Sequence, residues 1–362
     1  MRKIVLIAGA MSETLVVRRV EALQKAGFEV HLYGYHRTTM TEYQYDTRVI
    51  VKNLGVLENG KGYFHKLQLM RKDITEIIKS EGRGSTIYYG FGFLIGNILS
   101  FCHVNYIYEI CDLLYGYGRL QKVSQLFRIM DRRAIRKSLL TVLTSDGFHK
   151  YLFKKPQDNI LIQPNRVNQF FTDIERLDLN KVDVSHLKFA YVGAPRSKST
   201  VLHFAKVIGR YYPNHEFHFY GDGPSASGFM LEASDYANVF FHGRFKNPHD
   251  LMDIYNNIDI VVACYETEAL NERLLEPNKL YEAIYFNKPI IVSENSYLAD
   301  RVKNLNCGYV INAYSENAIR NFIDNLSQDS IYSVRQSEKL IHTCDTIDSS
   351  TNLINRILEL YN

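Results

Sequence analysis

Short apolar runs alternate with longer amphipathic stretches along the first half of the chain. Ile4–Ala8 is continuously apolar, Glu13–Ala26 carries apolar residues at helical spacing, and Gly27 closes that stretch. Glu29–Tyr33 reads as a second strand, Phe64–Ser80 as a helix and Thr86–Tyr89 as a third strand. Gly90 and Gly92 mark a loop before a helix at Leu94–Phe101 and a strand at Tyr106–Ile110. Val123, Leu126, Phe127, Met130 and Ala134 recur at helical spacing, which predicts an amphipathic helix over 121–138. Leu139–Leu143 follows as a strand.

The pattern restarts near residue 187. Phe189–Val192 is a strand ending at Gly193, and Val201–Tyr211 is helical in period. Glu216–Tyr220 runs into the turn Gly221-Asp222-Gly223-Pro224, and Val239–Phe241 is a short strand before Gly243. A helix at His249–Asn256 and a strand at Asp259–Ala263 follow. Ile290–Val292 is another buried run, Ser296 caps a helix that stops at Gly308, and Ser315–Leu326 is a further helix. The tail, 351–362, puts Leu353, Ile357, Leu358 and Tyr361 on one face. Repeated strand–helix units with apolar strands predict an α/β chain of two Rossmann-like, doubly wound domains, joined near Pro164–Asp183. Sheets of that kind bind ligands beyond the C-terminal ends of their strands.

The chain has 362 residues, enough for two cores, and 46% hydrophobic with 23% charged residues makes it globular. Gly84 to Tyr108 carries no formal charge and is long enough to span a bilayer. Its glycines, Asn97 and Asn105 split it into a buried strand–helix–strand piece instead. Met1-Arg2-Lys3 before an apolar run resembles a leader, but Glu13 and Arg18-Arg19 interrupt it, leaving a first strand. Five scattered cysteines without a C-x-x-C pair point to a reducing cytoplasm and to no zinc site.

Charge is uneven. Residues 1–185 hold 27 Lys and Arg against 18 Asp and Glu, a net +9; the remainder holds 16 against 21, a net −5. A basic half suggests an anionic partner. Arg128, Arg132, Arg133, Arg136 and Lys137 concentrate this charge on the 121–138 helix, either as a contact for an anionic membrane surface or as a solvated face. No helix-turn-helix, zinc-finger or RNP-like pattern supports nucleic acid, and no H-x-x-x-H pair supports a metal.

The most informative stretch is Pro277-Asn278-Lys279-Leu280-Tyr281-Glu282-Ala283, followed by Asn287-Lys288-Pro289-Ile290-Ile291-Val292. It reads as a helix start carrying a lysine, a carboxylate at Glu282 and then a buried strand. A helix start beside a lysine suits an anion, and a carboxylate one turn in can grip paired sugar hydroxyls. After Gly193, Arg196 and Lys198 stand before a helix and could hold a diphosphate; the alternative is a solvated loop.

This order resembles the nucleotide-sugar motif of GT-B glycosyltransferases, especially family 4, over roughly 187–325. The resemblance implies two domains facing across a cleft: 1–168 together with 345–362 on the acceptor side, and 169–344 on the donor side. It implies that Glu282 holds the donor ribose, that Arg196 and Lys198 after Gly193 meet the donor phosphates, and that Asn278 and Lys279 belong to the donor site. The family's usual arginine directly follows the glycine, where this chain has Ala194. Gly221 and Gly223 match the family's Gly-x-Gly, and Arg244 and Phe245 fall where backbone meets the nucleobase. Asp112 resembles a strand-end aspartate that touches the acceptor or moves its proton, with a helix cap as the plain alternative. The first of the family's two glutamates falls at Leu274, flanked by Glu272 and Glu276. The implied activity is hexosyl transfer from a nucleotide-sugar to a glycan or lipid-linked acceptor in polysaccharide biosynthesis, with no metal and no cofactor. The implied place is the cytoplasm, peripheral to the inner membrane face. The rivals are a sugar-nucleotide 2-epimerase and a non-catalytic sugar-nucleotide-binding partner.

Overall fold

The computed structural model describes residues 2–37, 42–57, 62–174, 182–334 and 345–361. The chain divides into two units, Met1–Pro164 with Ser349–Asn362, and Asn165–Asp348. Each is an α/β doubly wound unit built on one all-parallel sheet.

In the first unit the sheet runs in the order β3-β2-β1-β4-β5-β6-β7. The strands are β1 Lys3–Ala8, β2 Glu29–His36, β3 Ile50–Val56, β4 Ile87–Phe91, β5 Asn105–Ile110, β6 Leu140–Leu143 and β7 Ile160–Ile162. Helices α1 Thr14–Lys25, α2 Tyr63–Glu81, α3 Gly92–Leu99, α4 Ser124–Lys137 and α5 Asp146–Leu152 connect them. The central strands are apolar throughout because helices cover both faces of a parallel sheet. Leu353 and Ile357 of the C-terminal helix Thr351–Glu359 join the core formed by Ile4, Leu6, Val16 and Val20.

The 121–138 expectation needs correcting. A 3₁₀ turn at Gly118–Val123 precedes the helix, and Val123 and Leu126 of the expected apolar stripe face solvent. The inward face is Asp131, Ala134 and Ile135, with Phe127 packed on Phe93 and Tyr115. The cause is polar: the hydroxyls of Tyr108 and Tyr115 donate to Asp131 at 2.6 and 2.8 Å, which rotates that carboxylate inward and Leu126 outward.

The second unit has strand order β10-β9-β8-β11-β12-β13. Its strands are β8 Lys188–Val192, β9 Glu216–Tyr220, β10 Val239–Gly243, β11 Ile260–Ala263, β12 Ile290–Ser293 and β13 Gly308–Ile311. Its helices are α6 His203–Tyr211, α7 Ala226–Ala233, α8 Leu251–Asn256, α9 Leu270–Leu274, α10 Asn278–Tyr285, α11 Tyr297–Leu305, α12 Glu316–Asp324 and α13 Gln328–Val334. Ser296 caps α11 as expected, accepting from the Ala299 amide at 3.0 Å. The helix does not run to Gly308; Asn306 ends it in the left-handed region, and Gly308 opens β13. A Cβ on Gly308 would meet the Ile290 carbonyl oxygen at 1.9 Å, so strand pairing, not helix capping, requires glycine there.

In both sheets the order reverses beside the first strand, between β1 and β4 and between β8 and β11. Those two switch points are where an open α/β sheet leaves a crevice for a ligand.

Candidate functional site

In the second unit the switch point is framed by Gly193, just after β8, and Tyr265, two residues beyond β11. The Gly193 and Gly221 amides donate to the carbonyls of Tyr220 and Gly243 at 2.6 and 2.7 Å, drawing three strand ends together. Both glycines have φ near +130°, and a Cβ on Gly221 would lie 2.2 Å from the Gly193 oxygen. Gly223 sits against Ala194, where a Cβ would lie at 3.1 Å. The glycines therefore set the backbone of this crevice rim.

Two cations, Lys279 and Arg196, converge on the crevice. Lys279, in the first turn of α10, is only 4% exposed. Its Nζ lies 4.6 Å from the Tyr191 ring centre and 6.0 Å from that of Tyr265. It would sit 2.8 Å from a Cβ on Gly193, so that glycine is what admits it. The Arg196 guanidinium lies 4.7 Å over Tyr265. Ring faces attract cations, but less than a carboxylate would, so Lys279 is a buried positive charge held by π contacts. Burial works against that charge, yet the neighbouring tyrosines raise the ammonium above its usual range.

One turn along α10, Glu282 is 3% exposed. Its carboxylate accepts from the Tyr255 hydroxyl at 2.7 Å and from Asn278 Nδ2 at 2.5 Å. Burial pushes the Tyr255 phenol well above its ordinary range, so it stays a donor. Asn278, Lys279 and Glu282 are thus brought together on one helix, beside Arg196.

The two glutamates flanking Leu274 have separate surroundings. Glu276 binds Arg301 at 2.9 Å and the Tyr281 hydroxyl at 2.6 Å, an internal brace. Glu272 accepts from Ser197 Oγ at 3.2 Å and from the Glu266 amide at 3.0 Å, tying α9 to the loop after β8. Glu266 in turn accepts from the Ser199 amide at 2.7 Å. Burial raises the Glu272 carboxyl, while Arg196 acts to lower it.

Other expected residues lie elsewhere. Lys198 Nζ pairs with Glu232 of α7 at 2.6 Å and is 64% exposed. Arg244 pairs with Asp222 at 2.9 Å on the surface, and Phe245 is half-buried in the loop after β10. Tyr191, Tyr255 and Tyr265 were not singled out from the sequence. Tyr265 follows a buried strand at a switch point, and that position was the available signal.

The first unit has its own crevice at its switch point. A cavity of about 370 Å³ is lined by Gly9, Glu13, Arg37, Lys66, Gly92 and Asp112, among others. Asp112 follows β5 and so stands at a strand end facing the cavity. Desolvation in the cavity wall raises the Glu13 carboxyl, Asp112 and Glu109 add to this, and Arg37 opposes it. Underneath, Arg19 and Glu109 form a fully buried pair at 3.0 Å, and the Tyr89 hydroxyl donates to the same carboxylate at 2.5 Å. Two carboxyls beside two cations can orient hydroxyls and move a proton. Among the described residues no cluster of three or more His, Cys, Asp or Glu is arranged to hold a metal ion.

Comparison with known proteins agrees with this fold. Residues 182–342 match the sequence profile of the family "glycosyl transferases group 1". No curated protein matches the chain by sequence. Among solved structures, sucrose-phosphate synthase from Thermosynechococcus elongatus superposes with a TM-score of 0.74 at 13% identity, covering 100% of this chain and 98% of that one. WaaG, a glycosyltransferase involved in lipopolysaccharide biosynthesis, gives 0.68 at 13% identity, with 99% of each chain covered. HepE from Anabaena, solved in complex with UDP and glucose, gives 0.68 at 12% identity, again with 99% of each covered.

Proposed function

We propose that this chain, whose residues 182–342 match the glycosyl transferases group 1, moves a hexosyl group from a nucleotide-sugar to a glycan or lipid-linked acceptor in cell-surface polysaccharide biosynthesis. The observation that carries the reading is Lys279, a buried ammonium lying over the rings of Tyr191 and Tyr265, one helical turn from the buried carboxylate Glu282. A donor nucleotide satisfies both. Its diphosphate neutralises Lys279 and Arg196, and its ribose hydroxyls donate to the Glu282 lone pairs that Tyr255 and Asn278 leave open.

The same cations serve the chemistry. Cleavage of the anomeric bond leaves negative charge on the departing diphosphate, and fixed positive groups in a dry site stabilise that charge. The reading assigns this work to side chains, so it expects no metal requirement. Asp112, with Glu13 beside it, is the group proposed to orient the acceptor hydroxyl and take its proton.

The acceptor is proposed to be presented at the cytoplasmic face of a membrane. No described helix is long and apolar enough to cross one. Phe101, Leu126 and Ile129 are 62, 61 and 63% exposed. Arg133 stacks 3.7 Å over Phe101 and bonds Ser100 Oγ, and Lys137 reaches the Ser100 carbonyl. Exposed apolar side chains among arginines suit an anionic lipid surface.

The test is nucleotide release from sugars linked to UDP, GDP, dTDP and CMP, the first three leaving a nucleoside diphosphate and the last CMP, with and without membrane extract, followed by product analysis. Release of nucleotide with sugar on a glycan or lipid supports transfer. Free epimerised sugar would indicate a 2-epimerase, and binding without turnover a non-catalytic partner.

A further inference from the structure

The first unit holds a second cavity that the reading above leaves unused. It measures about 490 Å³ and lies between residues 42–49 and the edge strand β3. Gly9, Glu13 and Arg37 line the Asp112 cavity, while Met11, Ser12 and His36 line this one. The two cavities therefore share one wall, the turn from β1 into α1 together with the end of β2.

That wall is tied to the residues opposite. Ser12 Oγ accepts from the Tyr43 amide at 3.1 Å, and the Tyr45 hydroxyl donates to the Met11 carbonyl at 2.5 Å. The Tyr43 hydroxyl donates to Glu21 of α1 at 2.5 Å, and its ring meets that of Tyr45 edge to face at 4.9 Å. These contacts hold the Tyr43 ring yet leave it 42% exposed. Val51 and Asn53 alternate onto one face of β3, and both line the cavity. Asn53 Oδ1 accepts from the Gly55 amide at 2.8 Å, which leaves its NH₂ group to donate elsewhere.

Charge separates the two cavities. Arg37 and Lys66 line the first, whereas among the described residues no Lys or Arg lines the second, which carries Glu42 and Asp46. Such a wall disfavours a phosphate or a uronate. An exposed ring and an exposed valine cover the apolar face of a sugar, and the amide and carboxylate groups meet its hydroxyls.

We propose that this cavity is a second acceptor subsite, taking a neutral sugar residue further along the acceptor than the one whose hydroxyl meets Asp112. The acceptor is then an oligosaccharide or longer glycan with an uncharged residue behind its reacting end. The proposal rests on the reading of the Asp112 cavity as the acceptor site.

The experiment titrates the full chain with gluco- and manno-oligosaccharides, from monosaccharide to tetrasaccharide, followed by saturation-transfer NMR. In at least one neutral series, wild-type affinity is expected to rise about tenfold or more with length. Tyr43→Ala removes the ring and Val51→Trp fills the space; each is expected to abolish that gain, so that long saccharides bind like the monosaccharide. Thermal melts check that each variant is folded, and the wild-type length series decides even if neither is.

No gain with length in wild type overturns the subsite, and so does a gain that survives in both folded variants. Preference for uronate-containing oligosaccharides over the neutral series overturns it as well. UDP affinity of wild type is measured alongside. A gain with length but no UDP binding keeps the saccharide site and removes the transferase reading; UDP binding without the gain removes the subsite alone.

Discussion

The Tyr255 hydroxyl donates to Glu282 Oε2 at 2.7 Å, across from α8 to α10. The bond holds a buried carboxylate in one orientation, in the place where a ribose must be read. Glu282→Ala should therefore weaken nucleotide binding by about 1.5–3 kcal/mol, the worth of hydrogen bonds to a charged group. Tyr255→Phe removes only the orienting bond and should cost less, about 0.5–1.5 kcal/mol. Calorimetric titration of the folded variants checks the order. Unchanged affinity in a folded Glu282→Ala protein would refute the ribose role.

Lys198 and Lys279 make a second contrast. Both were expected from the sequence in the donor site, Lys198 on the diphosphate and Lys279 at a helix start suited to an anion. Lys198 is paired with Glu232 at the surface, where solvent screens the pair and leaves it little weight. Lys279 is buried at the switch point. Lys279→Met keeps the volume and removes the charge, and should lower diphosphate affinity about tenfold or more while sparing the bare nucleoside. Lys198→Ala should change neither. Equal losses for nucleoside and diphosphate would detach Lys279 from phosphate binding.

Much of the fold was legible because central parallel strands are apolar throughout. Ile4–Ala8, Phe189–Val192 and Ile290–Val292 announce themselves that way. β3 did not, since Ile50, Val51 and Val56 lie exposed on an edge strand broken by Lys52, Asn53 and Gly55. Leu126 and Ala134 were read as one face because spacing cannot see that Asp131 is pulled inward by two tyrosines from elsewhere in the chain. In the crevice, Asn278, Lys279 and Glu282 were legible as a contiguous motif. Tyr255 and Tyr265 were not, because their meaning comes from α8 and the end of β11 being brought beside α10 only by the fold.

Asp131 also makes the first unit sensitive to pH. Burial raises its carboxyl from 3.8 to about 6, although hydrogen bonds from Tyr108 and Tyr115 oppose the shift. The folded value lies above the unfolded one. The cost of ionising this group in the fold is therefore absent below 3.8 and complete above about 6. Stability should fall across that window by on the order of 3 kcal/mol relative to Asp131→Asn, which cannot ionise. Urea unfolding of both proteins at several pH values measures the difference. A wild-type-minus-variant difference that stays constant between those limits would sink the idea.

The basic helix gives the last prediction. Leu126 and Ile129 project from α4 into solvent, beside Arg128, Arg132, Arg133 and Arg136. Arg132 also donates to the Leu152 carbonyl, and Arg133 and Lys137 bond residue Ser100, so these cations are partly fixed in place. Each basic side chain near an anionic bilayer contributes about 1 kcal/mol, and that share is screened within a Debye length. Burying Leu126 and Ile129 adds an apolar share that salt does not screen. Two separable losses are expected in vesicle sedimentation with phosphatidylserine. Changing Arg128 and Arg136 to Gln should remove the salt-dependent part, and changing Leu126 and Ile129 to Ser should remove the part that persists at high salt. Nucleotide affinity should be the same in both variants, because Glu282 and Lys279 belong to the other unit. If wild-type protein ignores anionic vesicles even at low salt, this face has another role and the acceptor reaches the enzyme in solution.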